Sequence, residues 1–124
     1  MDFREHGRRA AEQAREGGVK SMNYQLVLQF PANSIADYDE MIALEDELIE
    51  RVGATAKVDG HDCGSGEMNI FICADEPNKI LEMIQPVVAK RKMFRDLIAA
   101  YREVAGEDYT VIWPTGFTKQ FRIT

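Results

Sequence analysis

The chain has 124 residues, a hydrophobic fraction of 45%, a charged fraction of 29% and a formal net charge of −6. This length and balance are typical of one globular domain with one core. The acidic balance disfavours a general nucleic-acid surface, which is usually basic, and no apolar run approaches the ~20 residues of a membrane span. The N-terminus lacks the apolar stretch of a signal peptide, so we expect a cytoplasmic protein.

Residues 1–21 differ in composition from the rest of the chain. They carry five basic and four acidic side chains and very few large apolar ones. A segment without an apolar stripe has little with which to dock on a core. We therefore predict a loosely ordered, charged arm at residues 1–21 and a single folded domain at residues 22–124.

The first structured elements are a strand and a helix. Apolar and polar residues alternate over Asn23–Phe30, which predicts a strand with one strongly buried face. Apolar residues then recur at helical spacing over 38–52, with acidic residues opposite. Ser34 or Asp37 can cap this helix, and Gly53 is a suitable residue to end it.

A glycine-rich turn follows, and it contains the chain's most distinctive residues. Ala54–Cys63 and Glu67–Ala74 have the composition of two strands, and Gly64-Ser65-Gly66 lies between them. We predict a hairpin with a three-residue loop, because the last position of such a loop favours positive φ, which glycine adopts without steric cost.

The loop length decides which face of the sheet His61 occupies. A three-residue loop places Cys63 opposite Glu67 and His61 on the face away from the helices. A two- or four-residue loop would instead put His61 beside Ile70 under the helices, where an unpaired polar group costs about 1–3 kcal/mol. We therefore predict the three-residue register. Cys63 then shares a face with Cys73 without pairing across the strands, so we expect two reduced thiols.

The segment that begins at Asp75 predicts a second helix. Asp75 can cap this helix, Pro77 lies in its first turn and Pro86 lies inside it. Two alternatives remain after this helix. The helical spacing of apolar residues allows it to continue to residue 105, whereas a turn at 105–108 would join two strands instead. We favour the strands, because Tyr109–Trp113 is β-branched and aromatic.

Those last strands are predicted at Ile98–Val104 and Tyr109–Trp113. Beyond them, Phe117–Thr124 is expected to form a short extended tail with an edge strand through Phe121 and Ile123.

The resulting order is β-α-β-β-α-β with one extra hairpin strand at the end. This order predicts an α+β fold of the ferredoxin-like, split βαβ type, in which an antiparallel sheet carries both helices on one face. The other face must be solvated, covered or paired with another subunit. We expect Val27, Phe71 and Cys73 on that open face, and we expect a homodimer formed through it.

Two segments, GHDCGSGEMNIFICADEP and EDYTVIWPTGFT, resemble small bacterial proteins of uncharacterised function that share a GHDxGSGEMNIFI core and a YTVxWP strand. The resemblance covers most of the chain after Met22 and excludes residues 1–21. It implies the ferredoxin-like fold and a strand near Tyr101. It implies no catalytic residues.

The candidate chemistry is centred on His61. A histidine oriented by a carboxylate can act as a general base, and Asp59 lies two residues away on the same predicted face. We predict that a ligand site on the open sheet face would use His61, Asp59, Tyr101 and Trp113. The competing interpretation is structural: His61 and Asp62 would fasten the hairpin through hydrogen bonds to the loop amides.

The same stretch offers residues that can bind metals, but in an unsuitable pattern. The candidate ligands are His61, Cys63, Asp59 and Glu67. A closed zinc site needs four ligands at tetrahedral spacing, and the chain has no CxxC pair or second histidine cluster. The glycines also lack the pattern of a phosphate loop. We predict no metal and no cofactor.

Two classes of function remain open. The first, which we favour, is a non-enzymatic protein-binding or regulatory domain acting through an acidic surface or sheet face; an immunity-type inhibitor of a basic bacterial toxin is one version. The second is a small enzyme or ligand-binding protein with a pocket around His61.

Overall fold

The computed structural model describes residues 22–32, 35–64, 66–91, 94–117 and 119–123. The predicted arm at residues 1–21 lies outside the described residues, as does the predicted cap Ser34.

The described chain forms five strands and two helices, so the predicted α+β class is confirmed. The elements are β1 (Tyr24–Pro31), α1 (Ile35–Val52), β2 (Lys57–Gly64), β3 (Glu67–Ala74), α2 (Pro77–Lys90), a short 3-10 turn (Phe94–Asp96), β4 (Ile98–Glu103) and β5 (Thr110–Trp113). The strands form one antiparallel sheet in the order β2-β3-β1-β4-β5. The strand alternative for the segment after α2 is therefore confirmed over the long helix. Neither described helix combines the length and the apolar character that crossing a bilayer requires.

One core lies between the sheet and the helices. Alternate residues of β1 and β3 point into it, and the apolar stripes of α1 and α2 cover them. The largest buried side chains are Leu26, Leu28, Met41, Leu44, Leu48, Met68, Ile70, Ile72, Ile80, Ile84 and Leu97. Both helices therefore pack against the same face of the sheet.

The predicted hairpin register is wrong. Gly64 pairs with Glu67 and His61 pairs with Ile70, so the loop contains two residues and His61 lies on the helix-covered face. Gly66 has the predicted positive φ, 78°. The argument from burial failed because His61 is not unpaired under the helices: a carboxylate on α1 accepts its hydrogen bond.

A β-bulge compensates for the shorter loop. The register shifts between Val58 and Gly60, which leaves Asp59 as the extra residue. Gly60 has a φ of 136°, which glycine adopts without a steric penalty. Val58 and His61 are three positions apart, so a regular strand would place them on opposite faces. Because of the bulge, both face the helices.

The predicted edge strand through Phe121 and Ile123 is wrong. The C-terminal tail, residues 117–123 as far as they are described, instead lies across the open face of the sheet. Gln29 Nε2 on that face donates to the carbonyl oxygen of Arg122 at 2.8 Å, and the ring of Phe121 lies 5.0 Å from that of Tyr109. This hydrogen bond and this ring contact hold the tail against the sheet face and not along an edge strand.

The open face is well buried at its centre. Val27 and Ala100 pair on it and are fully inaccessible, although neither of the two described helices covers them. Val27, Phe71 and Cys73 lie on this face as predicted. The tail takes up part of the surface that we expected a second subunit to cover.

Charged side chains join the two helices at the outer surface. Arg91, just after α2, binds Glu40 on α1 at 2.7 Å and also contacts Glu47. Lys90 reaches Glu47 at 3.2 Å. Hydrogen bonds from Lys90 and then Arg91 lower the pKa of Glu47.

This cluster should contribute to acid sensitivity. A carboxyl group whose folded pKa is lowered stabilises the fold above its unfolded pKa, 4.5 for Glu47, and loses that contribution as the pH falls through the folded value. We expect the Lys90→Gln/Arg91→Gln variant to show a shallower fall in melting temperature below pH 4.5 than the unmodified chain. Parallel melting profiles across that acid range would contradict the assignment.

Candidate functional site

Three polar side chains meet where α1 crosses β2. His61 Nδ1 lies 3.1 and 3.2 Å from the two carboxylate oxygens of Glu45. Its Nε2 lies 3.4 Å from the hydroxyl of Tyr38, and the two rings meet edge to face at 5.9 Å. A carboxylate can only accept, so Nδ1 carries the proton that Glu45 binds. We call this set the Glu45–His61–Tyr38 relay.

The relay runs from the interior to the surface. The side chain of Glu45 is 4% exposed and that of His61 is 24% exposed, whereas Tyr38 is 42% exposed. A buried carboxylate is costly unless it is paired. His61 therefore satisfies Glu45, and the pair fastens the edge strand β2 to α1.

Sequence reasoning missed Glu45. It lies four residues after Met41 and three before Leu48, which places it inside the apolar stripe of α1. A carboxylate at such a position requires a partner, and this requirement was the available signal. Tyr38 was assigned to the same stripe as an apolar residue, and its hydroxyl was overlooked.

The relay adjoins an exposed surface on α1. Tyr38 and Ile49 are exposed, and Ile42 between them is half-buried. Their spacings of four and seven residues place them on one stripe of the helix. We call this stripe, together with the exposed acids named next, the α1 surface.

The acids form a second stripe beside the first. Asp39, Asp46 and Glu50 are all exposed, and Asp39 and Glu50 each follow an apolar member of the first stripe by one residue. Among the described residues, no basic side chain lies within ion-pair distance of these three carboxylates. The acids nearer α2 are different, because Glu40 and Glu47 are paired with Arg91 and Lys90.

The predicted ligand set is not assembled in one place. His61 lies on β2, whereas Tyr101 lies on β4 and Trp113 on β5, with β3 and β1 between them. Three strand spacings separate β2 from β4, about 14 Å. Like His61, Tyr101 and Trp113 pack on the helix-covered side of the sheet, against the core.

The other predicted site residues have clear local positions. Asp59 is the bulge residue of β2, and Tyr101 meets Tyr24 edge to face at 5.6 Å. These two tyrosines line a cleft of about 340 Å³ with the first turn of α2. Trp113 packs at the edge of the core. This is a structural role that a large aromatic side chain can have at the end of a strand.

The fastening predicted for the hairpin is also different. Both ring nitrogens of His61 contact side chains of α1. Ser65, one of the predicted partners in that loop, lies outside the described residues.

The two cysteines and the metal candidates offer little chemistry. Cys63 and Cys73 are not joined in a disulfide, and they lie on opposite faces because Cys63 pairs with buried Met68. Partial desolvation, followed by the charge of Asp62, raises the pKa of Cys63, so at neutral pH it is a protonated, weak nucleophile. Across the described ranges, no group of three or more His, Cys, Asp or Glu side chains could hold a metal ion.

Comparisons of the chain with protein-family profiles, with curated proteins and with solved structures give no significant match. The resemblance to the small bacterial proteins stays a prediction, and the functional argument rests on the site itself.

Proposed function

We propose that this chain is a non-enzymatic protein-binding domain that docks a basic partner on the α1 surface. The observation that carries the proposal is the pairing of an exposed apolar stripe with an adjacent stripe of carboxylates that have no basic neighbour among the described residues. Among the residues that the structure describes, three large hydrophobic side chains are exposed, and two of them, Tyr38 and Ile49, belong to this surface.

The chemistry of the surface matches that of protein interfaces. Tyrosine is enriched at binding hot spots, where a rigid ring packs against the partner and its hydroxyl is hydrogen-bonded. The relay restrains Tyr38, because His61 contacts both its hydroxyl and its ring. A pre-positioned side chain loses less conformational entropy on binding.

Charge favours a basic partner. Unpaired carboxylates at the rim of an interface mainly raise the association rate and exclude acidic competitors. The neighbouring strand β2 also lies at the edge of the described sheet, where a partner segment can add a strand. An immunity-type inhibitor of a basic bacterial toxin is the concrete version of this proposal, and a cytoplasmic location is part of it.

A small enzyme is the second candidate, because the relay has the carboxylate–imidazole–hydroxyl order of an oriented general base. The hydroxyl end of this arrangement belongs to Tyr38, which is 42% exposed. Catalytic groups are usually enclosed in a cleft that shields them from water, so this exposure favours the binding interpretation.

The fold proposal is the ferredoxin-like class with one appended strand. It is supported by the order of strands and helices along the chain as far as β4 and by the pairing of β1 with both β3 and β4. A homodimer through the open face is a weaker proposal, because the C-terminal tail lies across part of that face.

The test compares two exposed hydrophobic positions. We expect Ile49→Asp to weaken binding of the partner by at least about tenfold, because it buries a new charge in the interface. Val104→Asp is the matched control, because Val104 is 52% exposed and lies just after β4, outside the α1 surface. The partner would be recovered from the source cells by affinity capture and then purified for titration calorimetry.

The result should be specific to one surface. The identified partner should have a basic face, and its association rate should fall as salt is added. Equal binding by the Ile49→Asp and Val104→Asp variants would contradict the proposal.

A further inference from the structure

The C-terminal tail and the open face of the sheet enclose a second cleft, of about 300 Å³. Gln29, Glu67 and Ile98 contribute its sheet side. Phe117, Lys119, Gln120, Phe121 and Arg122 contribute its tail side. We propose that this cleft binds a small organic anion that has a carboxylate and an apolar body.

A buried hydrogen-bond donor lies next to the cleft. Asn69 is 1% exposed, and its Nδ2 has no hydrogen-bond partner among the described residues. Asn69 pairs with Gln29 across β1 and β3 and lies two residues from Glu67 on the same strand face. Gln29 and Glu67, which both line the cleft, therefore flank Asn69.

The orientation of this amide is determined by its neighbour. Gln29 Nε2 donates to the carbonyl oxygen of Arg122 at 2.8 Å and to Asn69 Oδ1 at 3.1 Å. Only the amide nitrogen of Gln29 can donate to the carbonyl oxygen of Arg122, which fixes the orientation of the Gln29 amide. Asn69 must then present its side-chain oxygen to Gln29 Nε2. The remaining Nδ2 points elsewhere, and a buried donor without an acceptor is unfavourable.

The charge of the lining favours an anion. Lys119 and Arg122 oppose Glu67, which gives the lining a net positive charge in a chain of net charge −6. The described residues place no carboxylate within ion-pair distance of either cation. A carboxylate on the ligand would pair with these two cations, and the Asn69 amide, which lies beside Gln29 and Glu67, would report its binding.

The remaining lining defines the body of the ligand. Phe117, Phe121 and Ile98 supply apolar surface, and the volume is at the lower end of that of small-molecule sites. Both phenylalanines belong to the tail, so binding would clamp the tail on the sheet. This site is on the opposite side of the sheet from the α1 surface.

The probe is benzoate, which combines a carboxylate with a six-membered ring. Titrated into the full chain, it should shift the Asn69 side-chain amide resonance saturably with a Kd of about 1 mM or tighter, and it should raise the melting temperature. Benzyl alcohol tests the ring without the charge, and inorganic phosphate tests the charge without the ring. Neither should produce the saturable shift.

Charge variants distinguish a site from a general effect of charge. Lys119→Gln/Arg122→Gln should weaken benzoate binding at least about tenfold. The matched control is Lys79→Gln/Arg95→Gln, which removes the same charge from exposed positions outside the cleft and should not alter the Kd. The proposal is overturned if benzoate gives no saturable shift, if benzyl alcohol or phosphate shifts the amide equally, or if both pairs weaken binding alike.

This inference is separable from the docking of a protein on α1. The Ile49→Asp variant should bind benzoate with unchanged affinity. A chain that lost one of these activities and retained the other would show that the two proposals fail independently.

Discussion

Replacing Glu45 by alanine should lower the free energy of unfolding by about 2–4 kcal/mol, because the change removes one partner of a buried pair and leaves a cavity. The carboxylate is 4% exposed and is held by His61 at 3.1 Å. After the substitution, His61 Nδ1 would face the vacated space under α1. Urea denaturation measures the loss, with the m-value as a check that unfolding stays two-state.

Asp46 provides the matched control for this prediction. It is the next residue on α1 and is exposed, so Asp46→Ala should change the free energy of unfolding by no more than about 0.5 kcal/mol. A comparable loss in both variants would indicate an effect of helix charge and not of the buried pair.

A double-mutant cycle with His61→Ala separates the pair from its surroundings. We expect a coupling free energy of about 1–2 kcal/mol between Glu45 and His61, since each side chain is the other's close partner. Additive losses would show that the contact contributes nothing. Unchanged stability of His61→Ala would favour a catalytic role for the imidazole over a structural one.

The second large effect is expected from removing the C-terminal tail. Truncation after Gly116 should cost about 2–4 kcal/mol, because it removes several half-buried apolar side chains and exposes the sheet face beneath them to water. It also removes the Gln29–Arg122 hydrogen bond. Thermal and urea denaturation measure this loss.

The truncated chain should also associate with itself. Val27 and Ala100 are fully buried on the open face, on which the tail lies, and an uncovered apolar sheet face promotes pairing. Sedimentation analysis should show a shift toward dimers or larger species. A truncated chain that stayed monomeric with unchanged stability would show that the tail does not protect this face.

Periodicity predicted most of the architecture. The strands, both helices and the choice of a hairpin after Lys90 followed from alternation, helical spacing and turn glycines. These signals are local, so they can be recognised in the sequence without knowledge of the tertiary structure. On β3, the apolar residues that face the helices are buried, whereas Phe71 and Cys73 on the other face are half-buried.

The site could not be predicted in the same way, because it depends on register. One residue in the loop and one in the bulge at Asp59 decide which face His61 occupies. Neither is encoded by hydrophobic pattern alone. The predicted cost of burying His61 did not include its partner Glu45, which lies 16 positions earlier in the sequence.

The position of the tail was also beyond local reasoning. Phe121 and Ile123 have the alternation of a strand, but the hydrogen bond to Arg122 comes from Gln29, 93 residues earlier in the chain. Tertiary contact overrode the local pattern there.

The most direct test of the central claim is site-specific photocrosslinking in the source cells. Benzoylphenylalanine would replace Ile49 in one variant and Val104 in another, which are two exposed apolar positions on different surfaces. We predict that the Ile49 position crosslinks to one discrete basic protein and that the Val104 position does not. A partner crosslinked equally from both positions, or from Val104 alone, would contradict docking on α1.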